Sequence, residues 1–287
     1  MLFELNDIHY TYMRDTPFAF EAIRGLSLAV EEGKALAIIG PTRSGKSTVA
    51  DLLARLIVPA SGTLLFEGDD VTTPKFEIER IRNAVGVVFQ SPDSQIFEET
   101  VGKDVSFGPR RKKYSLEKSR LLVQQSLEAV GLPYEDFRTR YTYALSGGQK
   151  RRVAIAGVLA LEPRVIIFDE PTAGLDPRGR HELLSLIKNL KQQHGLTMIY
   201  LSSSLEDVIG LADTIVILDQ GQAILNGSPR EILSRATQLT ELDIVLPEAT
   251  RIALALQDIF PDLDTGVIGL AELEAALVQA QARKANT

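Results

Sequence analysis

Hydrophobic residues in this chain fall into short runs of strand length that alternate with longer segments of helical spacing. The short runs predict strands at Phe3 to Tyr12, Ile23 to Val30, Ala35 to Ile39, Thr63 to Phe66, Val85 to Phe89, Val165 to Phe168, Thr197 to Ser202 and Ile215 to Leu218. The longer segments predict helices at Lys46 to Leu56, Leu116 to Val130, Val153 to Leu161, Pro177 to Gln193 and Leu270 to Ala282. Because apolar strands alternate with helices, the pattern predicts an α/β fold whose mainly parallel sheet is covered on both faces.

The order of these elements also predicts how the chain divides into domains. Residues 1–235 carry the strand–helix rhythm and are expected to form one domain, with a mainly helical subdomain at about 91–160. Strand signals fade after about Pro229, so residues 236–287 are predicted to form a small helical appendix. A length of 287 residues is sufficient for one large core with such an appendix.

The net charge and the lack of cysteine argue against several classes of function. The net charge of −7 argues against a general nucleic-acid binder, because neutralising phosphates needs clustered Lys and Arg. One basic run, Arg110 to Lys113, is interpreted as a solvated loop in preference to a docking patch. The chain has no cysteine, which excludes disulfides and thiolate metal sites.

The chain is expected to reach a membrane only through partners. Its longest apolar runs, such as Ala35 to Ile39 and Val165 to Phe168, are of strand length, whereas a membrane helix needs ~20 apolar residues. The first residues lack a basic stretch followed by an apolar one, so no secretory signal is expected. The pattern therefore predicts a soluble protein.

A glycine-rich loop follows the strand Ala35 to Ile39 and precedes a predicted helix. It matches the phosphate-binding pattern G-x-x-x-x-G-K-[ST], in which glycine lets the backbone N–H groups wrap closely around phosphates. In this pattern Lys46 neutralises the β and γ oxygens and the Ser47 hydroxyl ligates Mg²⁺. The residues that we expect to contact a nucleotide here are Gly40, Pro41, Thr42, Arg43, Ser44, Gly45, Lys46, Ser47 and Thr48.

Two carboxylates follow the apolar strand Val165 to Phe168. In an open α/β sheet, ligands collect beyond the carboxyl ends of the strands, so Asp169 and Glu170 are expected beside the glycine-rich loop. Asp169 is then placed to hold a metal ion through water. Glu170 is placed to polarise an attacking water as general base.

The segment Leu145 to Gln149 reads LSGGQ and is another glycine-rich helix opening, hence a second phosphate-binding surface. It resembles the signature motif of ATP-binding-cassette (ABC) proteins. The resemblance implies a P-loop NTPase core with an N-terminal antiparallel β subdomain. It also implies a head-to-tail dimer, in which Ser146, Gly147, Gly148 and Gln149 of one subunit close over the nucleotide of the other.

Further marks of this family occur in order along the chain. Gln90, after the strand Val85 to Phe89, is similar to the Q-loop glutamine, which the resemblance implies contacts metal and water. Residues 171–176 are similar to the D-loop, which crosses the dimer interface. Tyr12 matches the aromatic residue that stacks on adenine, with simple packing as the alternative reading.

Residues 91–97 and 104–109 narrow the resemblance to the ATPases of energy-coupling-factor transporters. This implies uptake of vitamins or of cobalt and nickel ions, at the cytoplasmic face of the membrane. The implied partners are a second ATPase subunit, identical or paralogous, a transmembrane coupling protein and a substrate-capturing membrane protein. The helical tail is implied to help hold the ATPase pair together.

Ser203 departs from the family pattern. It stands where the family places a histidine that contacts the γ-phosphate, and neither His9, His181 nor His194 is a natural replacement. A serine is short and lacks the imidazole charge, so hydrolysis at this site is predicted to be slow. A mixed ATPase pair with one weak site, an engineered variant and rescue by neighbouring serines are three open explanations.

Three other interpretations remain beside that of an energy-coupling-factor transporter motor. A cassette ATPase acting on nucleic acid or ribosomes is disfavoured, because the chain has neither a basic face nor a second cassette. A regulatory subunit that uses ATP as a dimer clamp is favoured by Ser203 and disfavoured by the intact Glu170. An ATPase of another importer class also fits the general motifs.

Overall fold

The computed structural model describes residues 1–261 and 263–285, and in this part of the chain ten strands form two sheets. The strands are β1 (Phe3–Tyr12), β2 (Phe20–Val30), β3 (Ala35–Ile39), β4 (Ser61–Phe66), β5 (Asp69–Asp70), β6 (Val85–Val88), β7 (Val165–Asp169), β8 (Thr197–Ser202), β9 (Thr214–Asp219) and β10 (Gln222–Gly227). An antiparallel sheet has the order β2-β1-β4-β5, and the larger sheet has the order β10-β9-β3-β8-β7-β6. The predicted mainly parallel sheet is confirmed, since within the larger sheet only the described pair β10–β9 is antiparallel.

Helices accompany the two sheets, and the last two of them pack together in an apolar cluster of their own. They are α1 (Lys46–Leu53), α2 (Ile78–Ala84), α3 (Val101–Val105), α4 (Phe107–Arg111), α5 (Leu116–Ala129), α6 (Tyr134–Phe137), α7 (Gly147–Leu159), α8 (Pro177–His194), α9 (Leu205–Val208), α10 (Pro229–Leu233), α11 (Ala236–Glu241), α12 (Glu248–Ala255) and α13 (Leu270–Ala285). Short 3₁₀ turns lie at Pro92–Ser94 and Thr142–Ala144. No helix in the described residues is both long and apolar enough to cross a bilayer.

Strand β3 shows how both faces of the large sheet are buried. Leu36 and Ile38 pack into a cluster that also contains the antiparallel sheet and α1. Ala37 and Ile39 point into the other cluster, which includes α5, α7 and α8. Since successive side chains of a strand point to opposite faces, a strand covered on both sides is apolar throughout, as β3 is.

The parallel register brings the ends of several strands to one edge. Ile39, the last residue of β3, pairs with Ser202, the last of β8. Asp169, the last of β7, pairs with Leu201 of β8, and β6 ends beside β7 at Val88. The loops that follow these four strands therefore begin side by side, where an open α/β sheet binds its ligands.

Several predicted elements differ from the structure. The predicted helix from Lys46 to Leu56 ends at Leu53, because Arg55 adopts the left-handed φ of 55° that stops a helix. Strand β10 and helix α2 are additional elements, and residues 110–111 of the predicted basic loop belong to α4. The predicted appendix 236–287 contains three described helices, whereas its residues 262, 286 and 287 lie outside the described residues. The domain boundaries remain a prediction.

Candidate nucleotide site

The phosphate loop between β3 and α1 needs its glycines. A Cβ on Gly40 would lie 2.1 Å from the carbonyl oxygen of Leu218, and Gly45 has a φ of 108°, which L side chains rarely adopt. The loop therefore approaches its surroundings more closely than any side chain would allow. The backbone N–H groups in the first turn of α1 have no partner within the helix, which suits an anion.

Lys46 is almost fully buried, with 7% of its side chain exposed. Its Nζ donates hydrogen bonds to the carbonyl oxygens of Gly40 at 2.7 Å and Pro41 at 3.0 Å, and it lies 3.6 Å from Oε1 of Glu170. Burial lowers the pKa of Lys46, and the nearby carboxylates of Glu170 and Asp169 oppose that shift. The ammonium is thus held at the edge of the sheet by two carbonyl oxygens and one carboxylate.

Ser47 and Asp169 place two hard oxygen atoms next to each other. The Ser47 hydroxyl donates to Oδ2 of Asp169 at 3.1 Å. Burial raises the pKa of Asp169, and the Ser47 hydrogen bond and the charge of Lys46 oppose the rise. Among the described residues no cluster of three His, Cys, Asp or Glu side chains could hold a metal alone. The pair therefore fits Mg²⁺, which commonly combines one or two protein oxygens with phosphate oxygens and water.

Glu170 and Ser203 meet at the ends of neighbouring strands. Glu170 has a left-handed φ of 44°, and its N–H donates to the carbonyl oxygen of Leu201 at 2.9 Å. The Ser203 hydroxyl donates to Oε2 of Glu170 at 3.3 Å. A non-glycine residue in this backbone region carries strain, which the neighbouring strand must hold in place.

The three histidines lie away from this edge. His9 is 3.4 Å from both Asp7 and Glu21 on the antiparallel sheet. His194 ends α8 and lines a separate groove, and His181 is exposed on the same helix. The structure therefore places Ser203, and no histidine of the described chain, beside Glu170.

The loops enclose a cavity of about 530 Å³. Its wall is made of Phe20, Ala22, Thr42, Arg43, Gly45, Lys46, Ser47, Thr48, Gln90, Asp169 and Glu170. The structure thus brings together most of the predicted nucleotide and metal contacts from both motifs. Gly40, Pro41 and Ser44 belong to the same loop but do not line the cavity. The Ser44 hydroxyl is buried and has no hydrogen-bond partner among the described residues.

Phe20 lines the cavity, whereas the predicted adenine-stacking residue Tyr12 is not part of its wall. Tyr12 donates to or accepts from the Thr48 hydroxyl at 3.2 Å, so its ring stands beside α1. Phe20 pairs with Tyr12 across the β1–β2 ladder, lines the cavity and is 51% exposed. Sequence reasoning missed Phe20, because an aromatic at the start of a strand carries no motif of its own.

The turn at Gly221, in the hairpin formed by β9 and β10, is hydrogen-bonded to the phosphate loop. The N–H of Gly221, between β9 and β10, donates to the carbonyl oxygen of Ser44 at 2.9 Å. The Gly221 carbonyl accepts from the N–H of Arg24 at 3.0 Å, and a Cβ at this glycine would lie 2.5 Å from the oxygen of Ala22. The turn therefore joins the phosphate loop to the antiparallel sheet.

The LSGGQ segment opens helix α7 away from this cavity. Ser146 and Gln149 form a reciprocal capping box, with N···O distances of 3.3 and 3.1 Å. A Cβ built on Gly147 or Gly148 meets no atom of the described chain within 4 Å. The two glycines are open to solvent, and none of the four residues lines the cavity of its own chain.

Arg151 connects the segments around the cavity. It is 6% exposed and donates to the carbonyl oxygen of Gln90 at 2.6 Å, to that of Ala173 at 3.3 Å and to that of Pro171. Helix α7 is thereby bonded to the loop after β6 and to the loop after β7. Sequence reasoning missed this residue, since one arginine within the basic run Lys150 to Arg152 has no distinguishing signal.

Comparison with known proteins identifies the family. Residues 23–173 match the family described as ABC transporter. The chain is 38% identical to the energy-coupling factor transporter ATP-binding protein EcfA2 of Clostridium perfringens, over 97% of this chain and 98% of that protein. The chain belongs to the ABC transporter family. The ABC fold and the predicted resemblance to energy-coupling-factor ATPases are thereby confirmed.

Solved ABC structures agree with this assignment. The structure of cbiO1 from Clostridium perfringens, described as part of the ABC transporter complex cbiONQ, superposes with a TM-score of 0.75 at 33% identity, over 89% of this chain and 98% of that one. A dimeric ATP-binding cassette, solved in a post-hydrolysis state with ADP and phosphate, gives a TM-score of 0.68 at 27% identity, over 79% of this chain and 98% of that one. This ABC chain is thus an ATP-binding ATPase subunit of a transporter.

Proposed function

We propose that this chain binds Mg-ATP, pairs with a second ATPase subunit and powers a membrane importer of the energy-coupling-factor type for a vitamin or a transition-metal ion. One observation carries the proposal. Lys46, Asp169 and Glu170 line one cavity, whereas Gly147 and Gly148 do not line it and stand in open space. A complete site then requires a second molecule, and a pair of sites that closes and opens provides a motion for transport.

The proposal gives a role to each residue expected around the triphosphate. Lys46 exchanges its two backbone carbonyl partners for β- and γ-phosphate oxygens, while the first turn of α1 donates its N–H groups. Ser47 and Asp169, with Gln90, would hold Mg²⁺, which neutralises charge on those oxygens when bound. Tyr12 supplies a surface for the adenine ring.

Glu170 is the proposed general base. Its carboxylate faces both Lys46 and the Ser203 hydroxyl, so it is oriented from two sides. Ser203 hydrogen-bonds to the base, but a hydroxyl at this distance brings no positive charge to the γ-phosphate. We therefore expect ATP to bind normally and to be hydrolysed slowly at this chain's own site.

The partners follow from what the chain itself lacks. Ser146, Gly147, Gly148 and Gln149 are proposed to contact the nucleotide of the neighbouring ATPase subunit. A transmembrane coupling protein and a substrate-binding membrane protein complete the importer, and residues 91–109 are proposed to pass the motion to them. The chain would then sit at the cytoplasmic face of the membrane, with no nucleic acid involved.

A second candidate function rests on the same serine. If Ser203 leaves turnover very low, ATP serves chiefly as a clamp that holds the two ATPase subunits together. The pairing of an intact Glu170 with Ser203 favours slow hydrolysis over none, because the base is still placed at the cavity.

Two measurements test the proposal. Co-purification from membranes, with identification of the bound proteins, should recover a second ATPase subunit and two membrane proteins. Mg-ATP binding to the full-length chain should be lost in Lys46→Ala and kept in the exposed control Lys75→Ala. Undiminished binding by Lys46→Ala, or recovery of no membrane partner, contradicts the proposed function.

A further inference from the structure

A buried carboxylate lies beneath the loops that carry Glu170 and Ser203. Asp207 belongs to the short helix α9 and is 5% exposed. Its Oδ2 accepts a hydrogen bond from the Thr172 hydroxyl at 2.5 Å, and Thr172 is itself 7% exposed. Its Oδ1 accepts from Nε of Arg180 on α8. A buried carboxylate bonded to two donors is fixed in direction as well as compensated in charge.

The same hydrogen-bond network also fixes the loop after β8. Arg180 also donates from its NH2 group to the Ser204 hydroxyl at 3.1 Å. The N–H of Ser204 donates to the Ser202 hydroxyl at 3.0 Å, so the residues on both sides of Ser203 are bonded. The chain on both sides of Ser203 is therefore fixed by hydrogen bonds.

The positions of these residues relate the network to the proposed chemistry. Thr172 is two residues beyond Glu170, and Ser204 is one residue beyond Ser203. Asp207 and Arg180 are thus shared between the loop after β7 and the loop after β8. A shift at either loop changes the hydrogen bonds of the other, since a buried network tolerates few alternative arrangements.

We propose that Asp207, through Thr172 and Arg180, is a positioning residue that fixes Glu170 relative to Ser203 and so sets the rate of ATP hydrolysis at this chain's own site. The inference rests on the proposed function. Asp207 touches neither the cavity nor the proposed catalytic atoms, and it acts only through the two loops. A purely structural role would instead lower stability without a selective effect on turnover.

Matched substitutions at Thr172 distinguish these roles. Thr172→Val removes the hydroxyl at nearly constant shape, whereas Thr172→Ser keeps it. Thr197→Val is the control: Thr197 is 1% exposed at the opposite end of β8, where its hydroxyl accepts from the N–H of Gly33 at 2.9 Å. All three variants are made in the full-length chain and checked for folding by thermal unfolding.

The single-turnover rate at saturating ATP should fall roughly ten-fold or more in Thr172→Val, because small misplacements of a base are costly. ATP affinity should stay unchanged, and Thr172→Ser and Thr197→Val should remain within about two-fold of the unsubstituted chain, the spread expected for substitutions that leave the reacting groups in place. An unchanged rate in Thr172→Val, an equal loss in Thr172→Ser, or a loss confined to ATP affinity overturns the inference.

Hydrogen exchange supplies a readout that does not need hydrolysis. In the nucleotide-free chain, Thr172→Val should raise amide exchange in residues 171–176 and 203–208 together, and Thr197→Val should not. A rise in only one of the two segments, or in neither, overturns the inference. A chain that shows the coupled rise but never hydrolyses ATP contradicts the proposed function instead.

Discussion

Ser203 donates a hydrogen bond to Oε2 of Glu170 across 3.3 Å, at the point where two parallel strands end side by side. This contact orients the carboxylate. In the family pattern a histidine at the position of Ser203 contacts the γ-phosphate, and the shorter serine does not replace that contact. On the proposed assignment, the pair would combine an intact base with a weakened stabiliser of the charge that develops on the γ-phosphate. The rate of the chemical step is the property that this pair should control.

Ser203→His should raise the single-turnover rate of ATP hydrolysis by up to about 10²–10³-fold, since a restored transition-state donor is worth that much. ATP affinity should change little. The matched control is Ser203→His combined with Glu170→Gln, which should remain inactive because the base is gone. A rate that does not rise in Ser203→His contradicts the claim that this position limits chemistry.

Asp169→Asn should stabilise the nucleotide-free chain near neutral pH and abolish the added stability that Mg-ATP gives. Burial raises the pKa of Asp169 above its usual value, so ionisation disfavours the folded state. As pH rises, the Asp169 carboxyl loses its proton at a lower pH in the unfolded chain than in the folded chain. The loss of folding stability is therefore complete only above the folded-state pKa. The melting temperature of Asp169→Asn should therefore exceed that of the unsubstituted chain at neutral pH, with no gain in acid.

As the control for this experiment, the thermal unfolding of the unsubstituted chain and of Asp169→Asn is measured again without magnesium. Mg-ATP at 100 times its dissociation constant stabilises a protein by about 2.7 kcal/mol, and Asp169→Asn should lose that gain. A variant that is less stable at neutral pH, or that keeps the full Mg-ATP effect, refutes the assignment of Asp169 to the metal.

Phe20→Ala should weaken ATP binding by about ten-fold and leave inorganic triphosphate binding unchanged. The ring is half exposed in the cavity wall, and stacking of a base on an aromatic ring contributes about 1–3 kcal/mol. Isothermal titration of both ligands separates base from phosphate contacts. Phe18→Ala is the control, because Phe18 is 78% exposed on the same hairpin but outside the cavity wall. Equal ATP affinity in both variants would exclude Phe20 from the base site.

Gly148→Asp should leave the melting temperature of the isolated chain nearly unchanged and abolish ATP-dependent pairing. The added side chain meets no described atom within 4 Å, and an acidic residue in the first turn suits a helix. In the pair, the new carboxylate would face the neighbour's phosphates and repel them. Analytical ultracentrifugation with ATP measures the effect, and Gly210→Asp, also in open space, is the control. Normal pairing of Gly148→Asp would rule out the head-to-tail arrangement.

The sequence predicts the central sheet and the phosphate loop because their physical signals are local. Strand β3 is apolar throughout, and the glycines and Lys46 follow it at fixed spacing. The same holds for β7, whose apolar run ends directly in Asp169. Where burial on both faces dictates the residue types, pattern and structure agree.

The elements that were missed depend on contacts distant in sequence. In β10 only Leu225 is buried, so this edge strand has too few apolar positions to be read from the sequence. Arg151 gains its place from three backbone carbonyls of the loops after β6 and β7, which no local pattern encodes. Phe20 reaches the cavity only through its pairing with Tyr12.

The turn at Gly221 bears on the speed with which ATP and ADP exchange. Its bonds to Ser44 and Arg24 hold the phosphate loop in shape before any ligand arrives, so little chain entropy is lost on binding. Uptake and loss of nucleotide would then be timed by the separation of the two subunits. On the proposed function, a hairpin at the edge of the sheet would thereby shift control of the cycle from the phosphate loop to the pairing of the two subunits.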